Sequence, residues 1–414
     1  MKQNTTYKQT ELGLIPEDWE VKKLGELGFF FKGKGVPKTS IETEGKYKCL
    51  TYGDLYTKYD YVIKNVKSFI NDASDSQEIN FGDICIAGSG ETIEDIGKCA
   101  VFIDDKTGYA GGDIIIFRSD ENPLTLSYIL NSDLCKRQKY RLGQGHSVVH
   151  IYSSQLQNLK IPLPPLPEQK KIADCLSTWD VAIEKQSALI NALTDRKKAL
   201  MQQLLTGKKR LPGFSGEWKE VKLGNLFEKI NRKNEEGNTN VVTISAQRGF
   251  VKQTDFFNKS VASETLDNYS LIYHGEFCYN KSYSNGYPLG ATKRLIAFEK
   301  AVVTTLYICF KIKDQKKSNG SFFEQFFEAN SLDRSLIKIA QEGGRAHGLL
   351  NVSLSDFFNI KIKLPPIEEQ TAIAEILAAA DRELQLQKEK LAQLQTQKKG
   401  LMQVLLTGKK RLIN

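Results

Sequence analysis

The fold of this chain is decided by residues 163–211, LPPLPEQKKIADCLSTWDVAIEKQSALINALTDRKKALMQQLLTGKKRL, because this stretch occurs twice. Residues 364–412 repeat it without a gap at an offset of 201 residues, and 24 of the 49 aligned residues are identical. Both copies open with Leu-Pro-Pro, pass through Glu-Gln and close with Leu-Leu-Thr-Gly-Lys-Lys-Arg-Leu. An internal repeat of this kind predicts two similar halves.

Each copy predicts one long helix, about 168–205 in the first and about 369–406 in the second, each about 57 Å long. Proline and an acidic first turn open each helix, and Gly207 or Gly408 stands where a terminating glycine belongs. Between them, seam residues recur in alternating steps of four and three, which is a heptad pattern. The apolar seam residues are Ile172, Leu176, Trp179, Ile183, Ile190, Leu193, Leu200 and Leu204 in the first copy, and Ile373, Leu377, Ala380, Leu384, Leu391, Leu394, Leu401 and Leu405 in the second.

The shared seam favours pairing of the two helices with each other over two unrelated surface helices. The pairing is expected to be antiparallel, because the intervening segment of about 160 residues is too compact to carry the chain back along a whole helix. With full overlap, Lys197 should face Ala380. Lys398 should face Trp179, so that its aliphatic stem lies on the indole ring.

The composition indicates a cytoplasmic protein that has no contact with a membrane. There is no run of about 20 apolar residues, and the N-terminus leads into no hydrophobic signal region. Seven cysteines without a Cys-x-x-Cys pair indicate neither a disulfide framework nor a zinc ribbon. The net charge of +9 is compatible with binding a phosphate backbone but decides little alone.

Four segments follow from the repeat: residues 1–162 and 212–363 as globular domains, and 163–211 and 364–414 as the helical repeats. Both domains begin alike, at Trp19 and Trp218, whereas their interiors diverge. The expected fold class is α+β, with two similar strand-rich domains separated by two long helices in an antiparallel coiled coil, in a circular, pseudo-twofold layout. Strands are predicted at 62–70, 84–87, 100–103, 113–118, 241–244, 295–298 and 306–310, the last within a longer apolar stretch at 301–311, and helices at 123–140 and 321–341.

A search for catalytic residues finds no credible constellation and no metal site. Residues 28–35 resemble a phosphate-binding loop, but Gly35 stands where a hydroxyl must hold magnesium. Glu20 with Lys22, and Glu220 with Lys222, could be half of a nuclease site, although the same context at both domain starts favours a structural strand. The Asn-Pro-Pro-Tyr type of motif, with which adenine methyltransferases grip a flipped base, does not occur.

Polar, aromatic and basic loops are instead candidates for reading a DNA groove, because Arg and Lys can pair with guanine, Asn and Gln with adenine, and glycine lets a backbone approach phosphates. Ordinary polar turns remain the alternative. The candidates are Ser89, Gly90, Gly143, Gln144, Gly145, His146 and Ser147 in the first domain, and Asn280, Lys281, Tyr283, Lys293, Arg294, Gly343, Gly344, Arg345 and His347 in the second.

The doubled Pro-Pro-x-x-Glu-Gln, the long helices, the closing Leu-Leu-Thr-Gly-Lys-Lys-Arg-Leu and the Trp-x-x-x-x-Leu-Gly domain starts resemble the specificity subunits of type I restriction-modification systems along the whole chain. The resemblance implies two target-recognition domains, each of which reads one half of a bipartite, asymmetric site in double-stranded DNA. It also implies helices that set the spacing and dock two modification subunits. A four-residue insertion after Lys198 is then expected to change the recognised gap by nearly two base pairs.

The resemblance further implies that this chain is no enzyme and holds no cofactor. S-adenosylmethionine is expected on methyltransferase partners that modify adenine, and ATP and Mg²⁺ are expected on partner subunits, including the restriction subunits. Two alternatives remain open at this point: a coiled-coil scaffold whose domains bind proteins, and a stand-alone DNA nuclease that uses the Glu-x-Lys strands.

Overall fold

The computed structural model describes residues 6–145, 148–256, 266–342 and 350–412. The chain divides into two compact units: unit 1 is Met1–Ser187 with Lys390–Asn414, and unit 2 is Ala188–Glu389. Each unit therefore combines one globular segment with part of each long helix. Within the described residues, no helix is long and apolar enough to cross a membrane.

Unit 1 is strand-rich, and its strands are β1 (Tyr7–Thr10), β2 (Gly13–Pro16), β3 (Glu20–Lys23), β4 (Gly28–Lys32), β5 (Tyr47–Leu50), β6 (Val62–Ile63), β7 (Phe69–Ile70), β8 (Gln77–Ile79), β9 (Ile84–Ala87), β10 (Ser89–Gly90), β11 (Cys99–Phe102), β12 (Gly108–Ala110), β13 (Ile114–Ser119), β14 (Val149–His150) and β15 (Lys160–Leu163). Its helices are α1 (Tyr52–Thr57), α2 (Pro123–Leu130), α3 (Asp133–Leu142), α4 (Ser153–Leu156) and the first part of α5 (Leu166–Leu204), with 3₁₀ turns at Leu24–Glu26 and Lys38–Ser40.

Unit 2 contains strands β16 (Lys219–Lys222), β17 (Phe227–Lys229), β18 (Val242–Ser245), β19 (Gly249–Lys252), β20 (Ser270–Tyr273), β21 (Phe277–Asn280), β22 (Ala291–Arg294), β23 (Lys300–Val303), β24 (Ile308–Ile312), β25 (Gln341–Glu342), β26 (Leu350–Asn351) and β27 (Lys361–Leu364). Its helices are α6 (Leu223–Leu226), α7 (Gln253–Phe256), α8 (Gly320–Glu328), α9 (Asp333–Ile339), α10 (Leu354–Asn359) and parts of α5 and of α11 (Ile367–Leu405).

Each unit has its own central sheet, and the two sheets are built alike. In unit 1 the strand order is β4-β13-β9-β11-β6, and in unit 2 it is β17-β24-β21-β22. Unit 1 adds a second sheet, β7-β5-β12-β8, in which β5 and β12 are parallel. Unit 2 has the corresponding pairs β18-β19 and β20-β23, with a parallel bridge between Val241 and Val302.

The central sheet is buried on both faces, which explains its continuous apolar runs. In β9, Ile84 and Ile86 pack in the core that contains Trp19 and helix α2, whereas Cys85 and Ala87 pack in a second core with the other sheet. In β21 of unit 2, Phe277 and Tyr279 likewise face the helices, and Cys278 faces the second sheet. Successive residues of a strand point to opposite faces of the sheet, so one apolar strand contributes side chains to two cores.

The predicted α+β class with two long helices is confirmed, but several shorter predictions are wrong. The helix expected at 123–140 is two helices, because Ser132 caps α3 by accepting a hydrogen bond from the backbone N–H of Cys135. The helix expected at 321–341 also breaks, at Asn330, whose φ is +53°. No strand forms at 295–298, since β22 ends at Arg294. The strand expected at 62–70 is two strands, and the apolar stretch at 301–311 contributes to two strands, β23 and β24.

The long helices pack antiparallel within each unit. In unit 1, Lys398 of α11 pairs with Asp180 of α5, and in unit 2, Lys197 of α5 pairs with Asp381 of α11. Every seam residue on both helices is buried or half-buried. Each lysine pairs with the aspartate that directly follows its expected seam partner, Trp179 or Ala380. The expected facing of the seam residues themselves stays a prediction.

The ammonium of Lys398 also lies over the ring of Tyr61, 3.6 Å from the centroid. The expected contact of its aliphatic stem with Trp179 stays a prediction. Tyr128 of α2 donates a hydrogen bond to the same Asp180. Burial lowers the pKa of Lys398, and the hydrogen bond to Asp180 opposes that shift. The carboxylate of Asp180 supplies the counter-charge that the buried ammonium requires.

The repeated Trp, Glu and Arg meet in what we term the closing cluster of each unit. In unit 1, Trp19 donates its indole N–H to Glu168 at 2.9 Å, and Arg411 donates to both carboxylate oxygens of Glu168. Arg411 also pairs with Asp18 at 2.7 Å. Hydrogen bonds from Arg411 to Glu168 raise the pKa of Arg411, with burial opposing. Arg411, which follows α11, is thus fastened to the first domain.

The closing cluster of unit 2 has the same chemistry. Arg210 donates to the two oxygens of Glu369 at 2.6 and 2.7 Å, and Trp218 donates to Glu369 at 3.0 Å. Glu369 is fully buried. A buried carboxylate requires such charged and polar partners.

The glutamine of each Glu-Gln pair fastens the long helix to a helix of its domain. Gln169 accepts a hydrogen bond from the backbone N–H of Asn122, the N-cap of α2, and donates to the carbonyl of Pro164. Gln370 makes the same contacts with Asn319, the N-cap of α8, and with Pro365. The Leu-Pro-Pro-x-x-Glu-Gln motif is therefore a docking device at the helix start.

Candidate nucleic-acid interface

The candidates of unit 1 come together where β9 leaves the central sheet. Strand β10 pairs with β14, and the backbone of Gln144 pairs with His150 at 2.8 and 3.0 Å. Gly145 has a φ of +124°, and a side chain there would collide with the carbonyl of Val148, so only glycine fits this turn. His146 and Ser147 lie outside the described residues.

Ser89 and Gly90, which form β10, are the buried part of the candidate surface of unit 1. Ser89 is 2% exposed, and its hydroxyl hydrogen-bonds the Nδ1 atom of His150 at 2.9 Å. Gly143 is the C-cap of α3, and a side chain there would collide with Val149. These residues shape the surface, and the exposed side chains around them, such as Glu91, Glu94 and Asp95, face solvent.

Two residues that the sequence did not single out hold the loop at 88–98 in place. Tyr56 of α1 donates to the carbonyls of Ser89 at 3.0 Å and of Asp95 at 3.1 Å. Lys139 of α3 is buried and donates to the carbonyl of Gly97 at 2.6 Å. Burial lowers the pKa of Lys139. A lysine in the run KRQKYR looks solvent-exposed in the sequence, so no local signal distinguishes it from its neighbours.

In unit 2 the equivalent loop, 281–290, connects β21 to β22. Asn280 accepts a hydrogen bond from the N–H of Ser282, and the carbonyl of Lys281 accepts one from the N–H of Leu350. The side chain of Tyr283 is 65% exposed. Asn280 therefore shapes the loop, and Tyr283 is presented to solvent.

Lys293 and Arg294 are held by acidic residues of α8. Lys293 pairs with Glu328, which also accepts a hydrogen bond from Tyr287, and the Lys293 side chain is only 10% exposed. Arg294 pairs with Glu324 and donates to Ser321 at 3.2 Å. Both cations thus join the sheet to α8. Gly343, Gly344, Arg345 and His347 lie outside the described residues.

The Glu-x-Lys strands do not form a metal site. Glu20 pairs with Lys22 at 2.9 Å, and Glu220 pairs with Lys361 of the neighbouring strand at 2.8 Å, all on exposed surfaces. Across the part of the chain that the structure describes, no group of three or more His, Cys, Asp or Glu residues could hold a metal ion. The seven cysteines are free, and all are buried or half-buried.

Comparison with known proteins identifies the architecture. The family described as type I restriction modification DNA specificity domain matches residues 16–195 and 215–396. The putative type I restriction enzyme MjaX specificity subunit of Methanocaldococcus jannaschii is 30% identical, over 98% of this chain and 97% of that protein.

Solved structures share the fold. The S subunit of a type I restriction-modification system from M. genitalium superposes with a TM-score of 0.55 at 16% identity, over 98% of this chain and 97% of that one. A structure that addresses complex assembly and conformational transition of the type I system superposes with a TM-score of 0.57 at 17% identity, over 96% of this chain and 99% of that one. With two copies of its domain, the chain belongs to the type I restriction-modification DNA specificity family.

Proposed function

We propose that this chain is the DNA-recognition subunit of a type I restriction-modification complex, and that each unit reads one half of a bipartite, asymmetric target. One observation carries the proposal: the two units repeat their framework, down to the closing clusters, but present different loops. The loop at 88–98 of unit 1 carries Glu91, Glu94 and Asp95, whereas the loop at 281–290 of unit 2 carries Lys281 and Tyr283. Two frameworks of one kind with unlike surfaces suit two unlike half-sites.

The chain binds and positions DNA and carries no catalytic site of its own. Two methyltransferase subunits dock on it and methylate an adenine in each half-site, with S-adenosylmethionine bound to those partners. Restriction subunits, which use ATP and Mg²⁺, join the same complex. The long helices expose apolar residues on their outer faces, among them Leu189 and Leu386. These exposed residues favour the docking of helical partner subunits on those faces.

Among the candidate residues, Gln144 and Tyr283 and the segments at 146–147 and 343–347 are proposed to contact DNA. Ser89, Gly90, Gly143, Gly145 and Asn280 would shape the loops, and Lys281 would contribute its charge. Lys293 and Arg294 would act through the ion pairs that hold β22 against α8.

The test is co-expression with the methyltransferase partner, followed by mapping of methylated adenines across host DNA. The proposal predicts one bipartite motif with unequal halves and a fixed gap. A stable complex that methylates no DNA would favour the scaffold alternative. Purified chain that cuts DNA with magnesium alone would favour the nuclease alternative.

The long helices are proposed to set the gap between the half-sites. Seven residues inserted in both helices, after Ser187 and after Glu389, preserve the heptad pattern and lengthen each helix by about 10 Å, which is about three base pairs. The motif of this variant should keep both half-sites and gain about three base pairs between them. An unchanged gap in the methylation map would contradict the spacer role, and a seven-residue insertion in one helix alone is the control that breaks the pairing.

A further inference from the structure

Unit 2 contains a two-stranded β-ribbon, the hairpin β18–β19, to which the proposed function assigns no role. Val242, Ile244 and Phe250 of this hairpin are buried in the second core, so the ribbon is anchored along its length. Ser245 pairs with Gly249, which leaves a three-residue turn, Ala246-Gln247-Arg248. Gly249 has a φ of +74°, the left-handed conformation that closes three-residue hairpin turns. The turn is thus rigidly held, and Gln247 and Arg248 at its tip are exposed.

The tip of this ribbon is joined to the loop at 281–290. Gln247 donates its side-chain N–H to the carbonyl of Asn285 at 2.9 Å. Asn330, at the end of α8, donates to the carbonyl of Gly286 at 3.0 Å. The ribbon tip and the loop that presents Tyr283 therefore form one continuous surface, braced from both sides.

Unit 1 uses the equivalent segment in the same way. Strand β5 corresponds to β18, since β5 runs parallel to β12 and Val241, directly before β18, forms a parallel bridge with Val302 of β23. The chain that follows β5 is helix α1. From α1, Tyr56 donates to carbonyls of the loop at 88–98. In both units the segment after this strand supports the loop of the central sheet, although its local structure differs.

We propose that the β18–β19 ribbon enters the DNA major groove in the half-site of unit 2, with Arg248 as a specificity-determining residue and Gln247 as a positioning residue. This inference rests on the proposed function. A two-stranded ribbon fits the major groove, and an arginine fork pairs bidentately with the O6 and N7 atoms of guanine. Gln247 holds the tip against Asn285.

The experiment compares methylation by the whole methyltransferase complex on a DNA library in which every base pair of the target is varied. Arg248→Ala should lower the preference for one base pair of a single half-site by about tenfold to a hundredfold, with the other half-site unchanged. Arg248→Lys should also relax that position, because lysine keeps the charge but loses the fork. Gln247→Ala should weaken the same half-site less.

Lys316→Ala is the matched control, an exposed cation of unit 2 in the loop before α8, and it should leave the motif unchanged. If Arg248→Ala weakens methylation equally at all sequences, Arg248 contacts phosphate and the proposed specificity role is overturned. An unchanged motif with the Arg248 variants also overturns it, while leaving the proposed function intact. If the wild-type complex recognises no bipartite motif, the proposed function itself fails.

Discussion

The two units differ where their sequences were free to diverge and agree where the repeats touch their domains. In unit 1, Glu168 joins Trp19 to Arg411, and in unit 2 Glu369 does the same with Trp218 and Arg210. The loops at 88–98 and 281–290 have no such correspondence. The first rests on a helix and a buried lysine, and the second on a β-ribbon and an asparagine.

This contrast separates residues that hold a recognition domain from residues that face its target. The closing clusters recur because each one ties a domain to both long helices, so a change in one partner leaves the others buried without a counterpart. The loops bear no such constraint, because their exposed side chains are constrained only by the molecule that they bind. The framework can therefore stay fixed while the recognised sequence changes.

The largest effect is expected from breaking the closing cluster of unit 2. Glu369→Ala leaves Arg210 and the indole N–H of Trp218 without their shared acceptor, and should lower the free energy of unfolding of unit 2 by about 3 kcal/mol. Glu168→Ala should cost unit 1 less, about 2 kcal/mol, because Arg411 keeps its pair with Asp18. Hydrogen exchange followed by mass spectrometry resolves the two units in the intact chain. Equal losses of unfolding free energy in the two units, or a loss in the unit that was not mutated, would contradict this prediction. Glu→Gln at each site is the milder control.

A smaller difference is expected between the two seam lysines. Both aspartate partners are also held by a second side chain, Asp180 by Tyr128 and Asp381 by Gln325. The exposure differs: the Lys398 side chain is 5% exposed, whereas that of Lys197 is 15% exposed and its partner Asp381 is 42% exposed. Lys398→Met should destabilise unit 1 by about 2 kcal/mol and Lys197→Met should destabilise unit 2 by about 1 kcal/mol. Urea unfolding followed by hydrogen exchange measures both. A larger loss for Lys197→Met would show that exposure does not govern these pairs.

A third difference between the units depends on pH. Burial would raise the pKa of Asp104 in unit 1, but hydrogen bonds from Lys48 and from the backbone N–H of Val66 outweigh it and lower that pKa to about 2. Because the folded-state pKa is below the ordinary value of 3.8, ionised Asp104 stabilises unit 1 fully above about pH 4, and this contribution is lost as the pH falls toward 2.

Leu295 and Ile296 of unit 2 follow β22 at the corresponding point and carry no charge. Asp104→Asn should therefore flatten the acid end of the stability profile of unit 1 alone. Protection from hydrogen exchange in β6 and β7, compared between the variant and the wild-type chain from pH 5 to pH 2.5, measures this. An identical dependence of protection on pH in the two proteins would show that ionised Asp104 does not stabilise unit 1.

The repeat made much of the framework predictable, because the pattern of Ile172, Leu176 and their mates reports a helical period directly. The antiparallel pairing followed from chain length. The ion pairs of Lys398 and Lys197 were missed, since a heptad pattern locates a seam but not the aspartate beside it that a buried ammonium requires. Tyr56, Lys139 and Gln247 were missed because their roles depend on long-range hydrogen bonds to backbone carbonyls, which leave no local sequence pattern.

The proposed function requires that the two domains read DNA independently on a shared framework. The direct measurement is the methylation map of a complex in which residues 212–363 are replaced by a second copy of the first domain, with both helical repeats retained. The proposed function predicts a symmetric motif, in which the half-site read by the first domain appears twice in inverted orientation. Retention of the wild-type asymmetric motif by a complex that still methylates DNA would contradict it.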